Sequence, residues 1–414
     1  MNSFKKNIYS TATENSCPDC IAPDVTIGLQ TWTACNADVS TYRDGTFIPE
    51  VTDPTAWAGL TTGAWCWYNN DPANEATYGK LYNWFAVNDT LHGGLAPIGY
   101  HVPTLLELTT LVDFAGGQLI AGGKLKETGF CYWNTPNTGA TDFYGFSMLG
   151  GGFRIDTGVF DNQGNIGYLW STDQFSLTNG YGKFMNHNDT FASNFNTNKK
   201  AGMSIRFVKD CPTCADGVVT IGTQIWTTCN ADVIEYTDTT PIPEVTDPTA
   251  WAALTTGAWC HVNNNPANDA IYGKLYNWYA VAGIYDAASL ANPALRKQFA
   301  PSGYHVPTNL EMATLITYLG GDTIAGRKMK EVGTTHWAAT NDATNTSCFT
   351  ALGSGYRFYV TGVYVQFNVY SYWWLATDVN LDTAHTIFIR NDAPNCTPGT
   401  TDKNYGFSVR LMQD

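Results

Sequence analysis

The stretch Thr52–Val87 returns 194 residues later as Thr246–Val281, with 29 of its 36 positions unchanged. A chain that carries one long sequence twice folds as two copies of one domain. The period is far longer than a solenoid unit, so each copy is a domain with its own core rather than one turn of a stack. Repeat one spans 17–210 and opens at Cys17-Pro-Asp-Cys20; repeat two spans 211–414 and opens at Cys211-Pro-Thr-Cys214. No Gly/Ser-rich or Pro-rich linker separates them, which predicts close packing of the two. Residues 1–16 form a polar arm ahead of the repeats, read as a docking segment.

Composition then narrows the function classes. Charged residues make up 14% of the chain, against about 25% in an ordinary soluble domain. Aromatics also reach 14%, and the formal net charge is −14. No basic run is longer than two residues, as at Lys199-Lys200. A nucleic-acid or anionic-membrane binder needs a basic face, so neither partner is expected. No run of 18 apolar residues occurs, and membrane insertion is not expected either. The first residues contain no apolar core of a secretory signal. The expectation is a protein that stays inside the cell, leaves by another route, or is assembled inside and released by lysis.

Local patterns give an α+β reading. Val25–Gly28 and Val219–Gly222 read as short strands entering a turn, continued by Gln30–Trp32 and Gln224–Trp226. Asp53-Pro54 and Asp247-Pro248 are turn or helix-start signals. Lys80–Val87 is a buried strand or a buried helical segment, and periodicity does not choose between them. A ten-residue insertion in repeat two, around Asp286–Lys297, is Ala-rich and reads as a short surface helix. Thr104 with Glu107, and Thr308 with Glu311, are capping boxes that open a helix. The first helix carries the apolar stripe Leu105, Leu108, Leu111, Val112, Ala115; the second carries Met312, Leu315, Ile316, Leu319. Gly116-Gly117 and Gly320-Gly321 close them. Beyond the helices both copies turn Gly-, Trp- and Asn-rich, which predicts irregular antiparallel sheet with long loops.

Several blocks recur in both copies: Val-Thr-Ile-Gly-x-Gln-x-Trp, Thr-Gly-Ala-Trp-Cys, Tyr-Gly-Lys-Leu-Tyr-Asn-Trp, Gly-Tyr-His-Val-Pro-Thr and a final Gly-x-Ser-x-Arg. Together they resemble the Fibrobacter succinogenes major paralogous domain, once over 24–210 and once over 218–414. That resemblance implies two tandem C-type-lectin-like domains of the formylglycine-generating-enzyme subtype. Such domains occur on surfaces of Bacteroidetes-type bacteria and in phages that infect them, where related domains present a diversified receptor-binding patch near the C-terminus. The oxidase chemistry of that subtype needs a cysteine pair in the C-terminal half. No matching pair is present: Cys131 stands alone, and Cys348 and Cys396 lack counterparts in repeat one. Trp170-Ser-Thr-Asp173 and Trp374-Leu-Ala-Thr-Asp378 stand near the calcium-lectin motif without matching it, so calcium-dependent sugar binding is not expected.

Residues that could carry chemistry have structural readings beside the functional ones. Cys17, Cys20, Cys35 and Cys66 map onto Cys211, Cys214, Cys229 and Cys260. These thiols fit disulfides or packed cysteines better than a zinc site, because the later spacings form no second C-x-x-C; a redox C-P-x-C pair is the third reading. His101 and His305 sit at a strand-to-helix corner with no nucleophile elbow nearby, and read as structural. Arg154, Arg206, Arg357 and Arg410 read as buried structural cations. Asn188-Asp-Thr190 and Asn395-Cys-Thr397 match a glycosylation sequon without a eukaryotic secretory context.

The two copies agree closely at first and then part company in 173–200 and 378–404. Both windows are rich in Asn, Asp and aromatics, a composition that suits recognition, although surface loops also drift freely after duplication. The candidate ligand contacts are Tyr181, Asn186, His187, Asn188 and Phe191 in one window. In the other they are Asn380, Asp382, His385, Phe388, Arg390, Asn391, Asp392 and Asn395. The expectation is a non-enzymatic phage virion protein (fibre, tail-tip or capsid-decorating) that binds a host-surface glycan or protein through these windows and other virion proteins through the arm. Self-association is a further partner expectation, and no cofactor is expected. The alternatives are a bacterial cell-surface or secreted binding protein and a purely structural virion component.

Overall fold

The computed structural model describes residues 23–414; the arm, Cys17 and Cys20 lie outside the described residues. The chain divides into two compact units, 1–210 and 211–414. Repeat one contributes β1 (Val25–Ile27), β2 (Gln30–Trp32), β3 (Tyr100–His101), α1 (Leu105–Phe114), β4 (Ile166–Gln174), β5 (Asn179–Asn186), β6 (Ala192–Asn198) and β7 (Val208–Lys209). Repeat two contributes β8 (Val218–Ile221), β9 (Gln224–Asn230), β10 (Tyr304–His305), α2 (Asn309–Tyr318), β11 (Tyr370–Asp378), β12 (Thr383–Arg390), β13 (Cys396–Asp402) and β14 (Arg410–Gln413). Each repeat is a mixed helix-and-sheet domain built on small antiparallel sheets.

The first and last strands of a repeat meet in one four-stranded sheet, ordered β1-β2-β7-β3 and β8-β9-β14-β10. Val208 is opposite both Trp32 and His101, so the end of the repeat is seated between its beginning and the strand that leads into α1. The capping box forms at α1: Glu107 Oε2 accepts from the Thr104 backbone N–H at 2.8 Å, and Thr104 Oγ1 accepts from the Glu107 N–H at 3.2 Å. The other Glu107 oxygen meets His101 Nε2 at 2.8 Å, and His101 Nδ1 meets Asp210 Oδ1 at 2.7 Å. One imidazole thus ties strand, helix cap and the end of the repeat together. His305, Glu311 and Asp414 repeat the arrangement at 3.1 and 2.7 Å. The apolar stripe faces inward as the spacing requires: Leu108, Leu111, Val112 and Ala115 are buried, as are Met312, Leu315, Ile316 and Leu319.

The duplicated stretch is a frame. Lys80–Val87 resolves into both readings, a short strand Leu81–Tyr82 followed by a single helical turn, Trp84–Val87. Asn83 caps that turn by accepting from the Ala86 N–H at 3.1 Å, accepts from the Ala64 N–H at 3.0 Å, and donates to the Thr62 carbonyl at 2.8 Å. Asn277 does the same in repeat two. Asp53 and Asp247 cap short helices that begin at Pro54 and Pro248, the position where the missing proline N–H costs nothing. The Ala-rich insertion forms a short helix, Ala287–Ala291, capped by Asp286.

Of the 22 Lys and Arg, 11 are buried, whereas no Asp or Glu is buried among the described residues. The buried cations bond chiefly to backbone carbonyls. Arg154 is 4.4 Å from the Trp57 ring and donates to Gly158 O at 2.9 Å, Thr52 O at 2.8 Å and Val51 O at 2.6 Å. Arg357 holds Trp251, Gly362, Thr246 and Val245 in the same way. Arg206 and Arg410 are buried deeply enough that desolvation lowers each guanidinium to about 9.

The divergent windows belong mainly to the antiparallel sheet expected beyond the helices, not to its loops. Most of each window is β-structure: β4, β5 and β6 form an antiparallel meander, and so do β11, β12 and β13. The Gly- and Asn-rich sequence hides this because close packing excludes side chains at Gly180 and Gly182, where an added Cβ would collide with Trp84 and with the Leu169 carbonyl.

A pH profile tests the histidine tie. Burial disfavours the charged His101 ring, but Glu107 and Asp210 outweigh it and raise its pKa. Burial also works against ionised Glu107, and His101 and Thr104 outweigh it and lower that carboxyl. A raised His stabilises below its unfolded value of ~6.5 and loses that contribution as pH rises through its folded value; a lowered Glu stabilises above ~4.3 and loses its contribution as pH falls. The contribution of this tie to the melting temperature of repeat one is therefore expected to be greatest between ~4.5 and ~6.5. Its decline above that window, followed by calorimetry, flattens in His101→Gln.

Candidate functional site

The cysteines form no metal centre among the described residues. Cys211 is bonded to Cys348 and Cys214 to Cys229, with Cα separations of 5.1 and 5.2 Å. The zinc alternative therefore fails for repeat two, since a disulfide sulfur cannot act as a thiolate ligand. Cys35 and Cys131 each take part in a disulfide, so Cys131 does not stand alone. Cys66 and Cys260, expected among the disulfide candidates, are instead free and buried. Cys66 packs with Trp57, Ala64, Tyr68 and Leu81, and Cys260 with Trp251, Ala258, Val262 and Leu275. Burial raises the thiol of Cys66 to about 12 and that of Cys260 to about 11, which makes both inert packing groups.

His101 and His305 each have both ring nitrogens engaged by carboxylates. That matches a structural tie, and no nucleophile joins it in the described contacts.

The candidate contacts in repeat two do not converge. Asn380 and Asp382 lie at the β11–β12 turn, where Asn380 Oδ1 accepts from the N–H groups of Asp382 and Thr383, both at 2.9 Å. Asn391, Asp392 and Asn395 lie at the opposite end of the sheet, beyond β12. Asn391 is a correction: it is buried, and its Nδ2 donates to the Ala339 carbonyl at 2.8 Å. His385 and Phe388 occupy opposite faces of β12 because side chains alternate along a strand. Phe388 and Arg390 share a face and stand opposite Tyr372 and Tyr370. Arg390 is bound to Asp392 at 2.6 and 3.1 Å.

In repeat one, Tyr181 packs edge-on against Phe175 at 5.1 Å. His187 occupies the place of Asn391, and its Nδ1 lies 3.1 Å from the Thr135 carbonyl. Two different residues thus tie the same turn to the preceding loop, and their difference carries no recognition. Asn186 ends β5, while Asn188 and Phe191 are exposed between β5 and β6.

Sequence reading missed the groups that shape these turns. Lys126, fully buried, donates to the carbonyls of Thr138 at 3.1 Å, Asn186 at 2.6 Å and Asp189 at 2.8 Å. Burial lowers its pKa to about 8. Lys330 grips the carbonyls of Arg390, Asn391 and Ala393, each at 3.0 Å, and pairs with Asp342. Lys403 lies 4.4 Å from the Trp278 ring and holds the β11–β12 turn through the Asn380 and Leu381 carbonyls. The available signal was a Lys-Glu pair that recurs after one apolar residue, Leu125-Lys126-Glu127 and Met329-Lys330-Glu331.

Also missed was an aromatic face. On the Phe388 side of the β11–β13 sheet, Tyr370, Tyr372, Phe388, Tyr405 and Tyr356 are half-buried around Phe407, with neighbouring centroids 4.7–6.0 Å apart. Most of these residues fall outside the divergent window, so a contiguous comparison of the copies passes over them.

The family model of the Fibrobacter succinogenes major domain matches residues 25–209 and again 219–413. The chain belongs to that family. Both copies of the major domain include the four-stranded frame, the capped helix and the meander. No curated protein and no solved structure matches the chain.

Two measurements check the cysteine assignments. Cys211→Ser with Cys348→Ser is expected to destabilise repeat two by about 2–4 kcal/mol in denaturant unfolding, because the unfolded chain regains the freedom of a long loop. Native protein is expected to leave Cys66 and Cys260 unlabelled by a thiol reagent that modifies both after unfolding.

Proposed function

We propose that this major-domain protein is a non-enzymatic recognition protein displayed on a phage particle, binding a receptor or glycan of the host surface. The observation that carries the reading is the half-buried aromatic face of the repeat-two meander, set on a frame whose charged groups are already committed to structure. Rigid aromatic side chains lose little conformational entropy on binding and bring large contact area. The histidines, buried lysines and arginines that could suggest catalysis are bonded within the domain, which supports binding over chemistry.

We further read each repeat as a branch of the C-type lectin fold. Support comes from the way both ends of a repeat close one sheet, leaving a capped helix and a separate meander on the segment between them. Binding is assigned to the meander's strands and turns rather than to free loops.

A second reading, a bacterial cell-surface or secreted binding protein, draws on the disulfides. Bonds such as Cys211–Cys348 persist in oxidising surroundings, a condition met outside the cytosol.

Immunogold labelling separates the two settings. Label on released particles, together with saturable binding of the fluorescent full-length chain to host cells, is the expected result. Label confined to the bacterial envelope favours the second reading. Absence of any cell binding contradicts recognition in either setting.

A further inference from the structure

We propose that the aromatic face of β11–β13 is a binding site for a neutral glycan chain. The inference rests on the recognition reading above and specifies its ligand. The rings form a row: Tyr370 to Tyr372 at 5.8 Å, Tyr372 to Phe407 at 4.7 Å, Phe407 to Tyr405 at 5.1 Å, and Tyr405 to Tyr359 at 4.8 Å. All but Phe407 are partly exposed.

Repeat one is an internal control. Matching strand pairings place Ile166 where repeat two has Tyr370, and Met203 and Ala201 where it has Phe407 and Tyr405. Repeat one closes the same frame with a compact cluster instead, Phe153, Tyr168, Phe184 and Phe195 at 4.8–6.2 Å, so the extension of the rings into a row is particular to repeat two. At the centre of the face, Phe195 of repeat one is replaced by Gly399. A Cβ there would meet only Thr386, at 3.5 Å, so β13 presents bare backbone between Thr397 and Thr401.

Polarity and charge select the ligand class. Among the described residues, the hydroxyls of Tyr356, Tyr359 and Tyr372 have no hydrogen-bond partner, whereas Tyr168 of repeat one meets Asn162 at 3.5 Å. A surface that alternates ring and hydroxyl suits a ligand with apolar C–H patches and outward hydroxyls. Between its rings the face presents Thr397, Gly399 and Thr401. An anionic glycan finds a poor match: Arg390 at the edge is already paired with Asp392, and no Lys or Arg among the described residues stacks on this row.

Affinity electrophoresis of the full-length chain tests the site. Gels contain dextran, galactomannan or mixed-linkage β-glucan as neutral probes, and alginate or polygalacturonate as anionic ones. Retardation by at least one neutral polymer and by neither anionic one is expected. Tyr370→Ile with Tyr405→Ala, the residues that repeat one carries at these positions, is expected to weaken that binding at least tenfold while repeat two keeps its melting transition. Because repeat one folds with these residues, a second variant, Tyr359→Ala alone, serves if the pair lowers stability. Retardation by no neutral polymer, or unchanged binding in the variants, overturns the site. If host-cell binding then persists and is removed by protease treatment of the cells but not by periodate, the ligand is protein and only this inference fails. If cell binding is absent too, the recognition reading fails with it.

Discussion

The structure depends on buried cations that hold backbone carbonyls. A guanidinium or ammonium out of water must have its donors satisfied, and here loop carbonyls satisfy many of them. Arg154 and Arg357 fasten the segment before each Asp-Pro helix to the strand that precedes the meander. Arg206 bridges Asn36, just beyond β2, to the loop around Phe146, and Arg410 bridges β9 to the loop around Phe349. Lys126 and Lys330 fasten the far turns of the meanders. A domain with few charges and many turns needs such anchors, because irregular backbone has no ladder to absorb its polar groups.

This use of charge leaves the exterior acidic and poor in cations. Of the 22 Lys and Arg, 11 are buried and contribute nothing to an exposed basic face. It also frees the meander: with its turns clamped from behind, the exposed face can change between copies without loss of fold. Phe195 opposite Gly182 in one repeat and Gly399 opposite Thr386 in the other show the exchange of bulk across one strand pair.

The frame was readable because its signals are local. The Thr104–Glu107 capping box, the Asp53-Pro54 start and the apolar stripe of α1 each lie within one or two turns of chain. The meander of repeat one was less so, since Gly180 and Gly182 are set by close packing against Trp84 and Leu169 rather than by strand propensity. Cys348 was set aside for lacking a counterpart, yet it closes a bond to Cys211 across 137 residues, a separation no spacing rule detects. The candidate contacts were chosen as a contiguous window, and alternation sends such a window to both faces of a sheet. Phe388 and Arg390 belong to the aromatic face, whereas Asn391 is a buried tie. Aligning the copies by strand partner, rather than by sequence block, brings Tyr370, Tyr405 and Phe407 into view.

The central claim is that a shared frame carries a specialised face on repeat two. Hydrogen–deuterium exchange of the full-length chain, with and without host-envelope extract, addresses it directly. The account predicts new protection in peptides covering 356–359, 370–374, 386–390 and 405–407, with Thr246–Val281 unchanged. Protection centred on Thr246–Val281, or on the matching strands of repeat one alone, would contradict it.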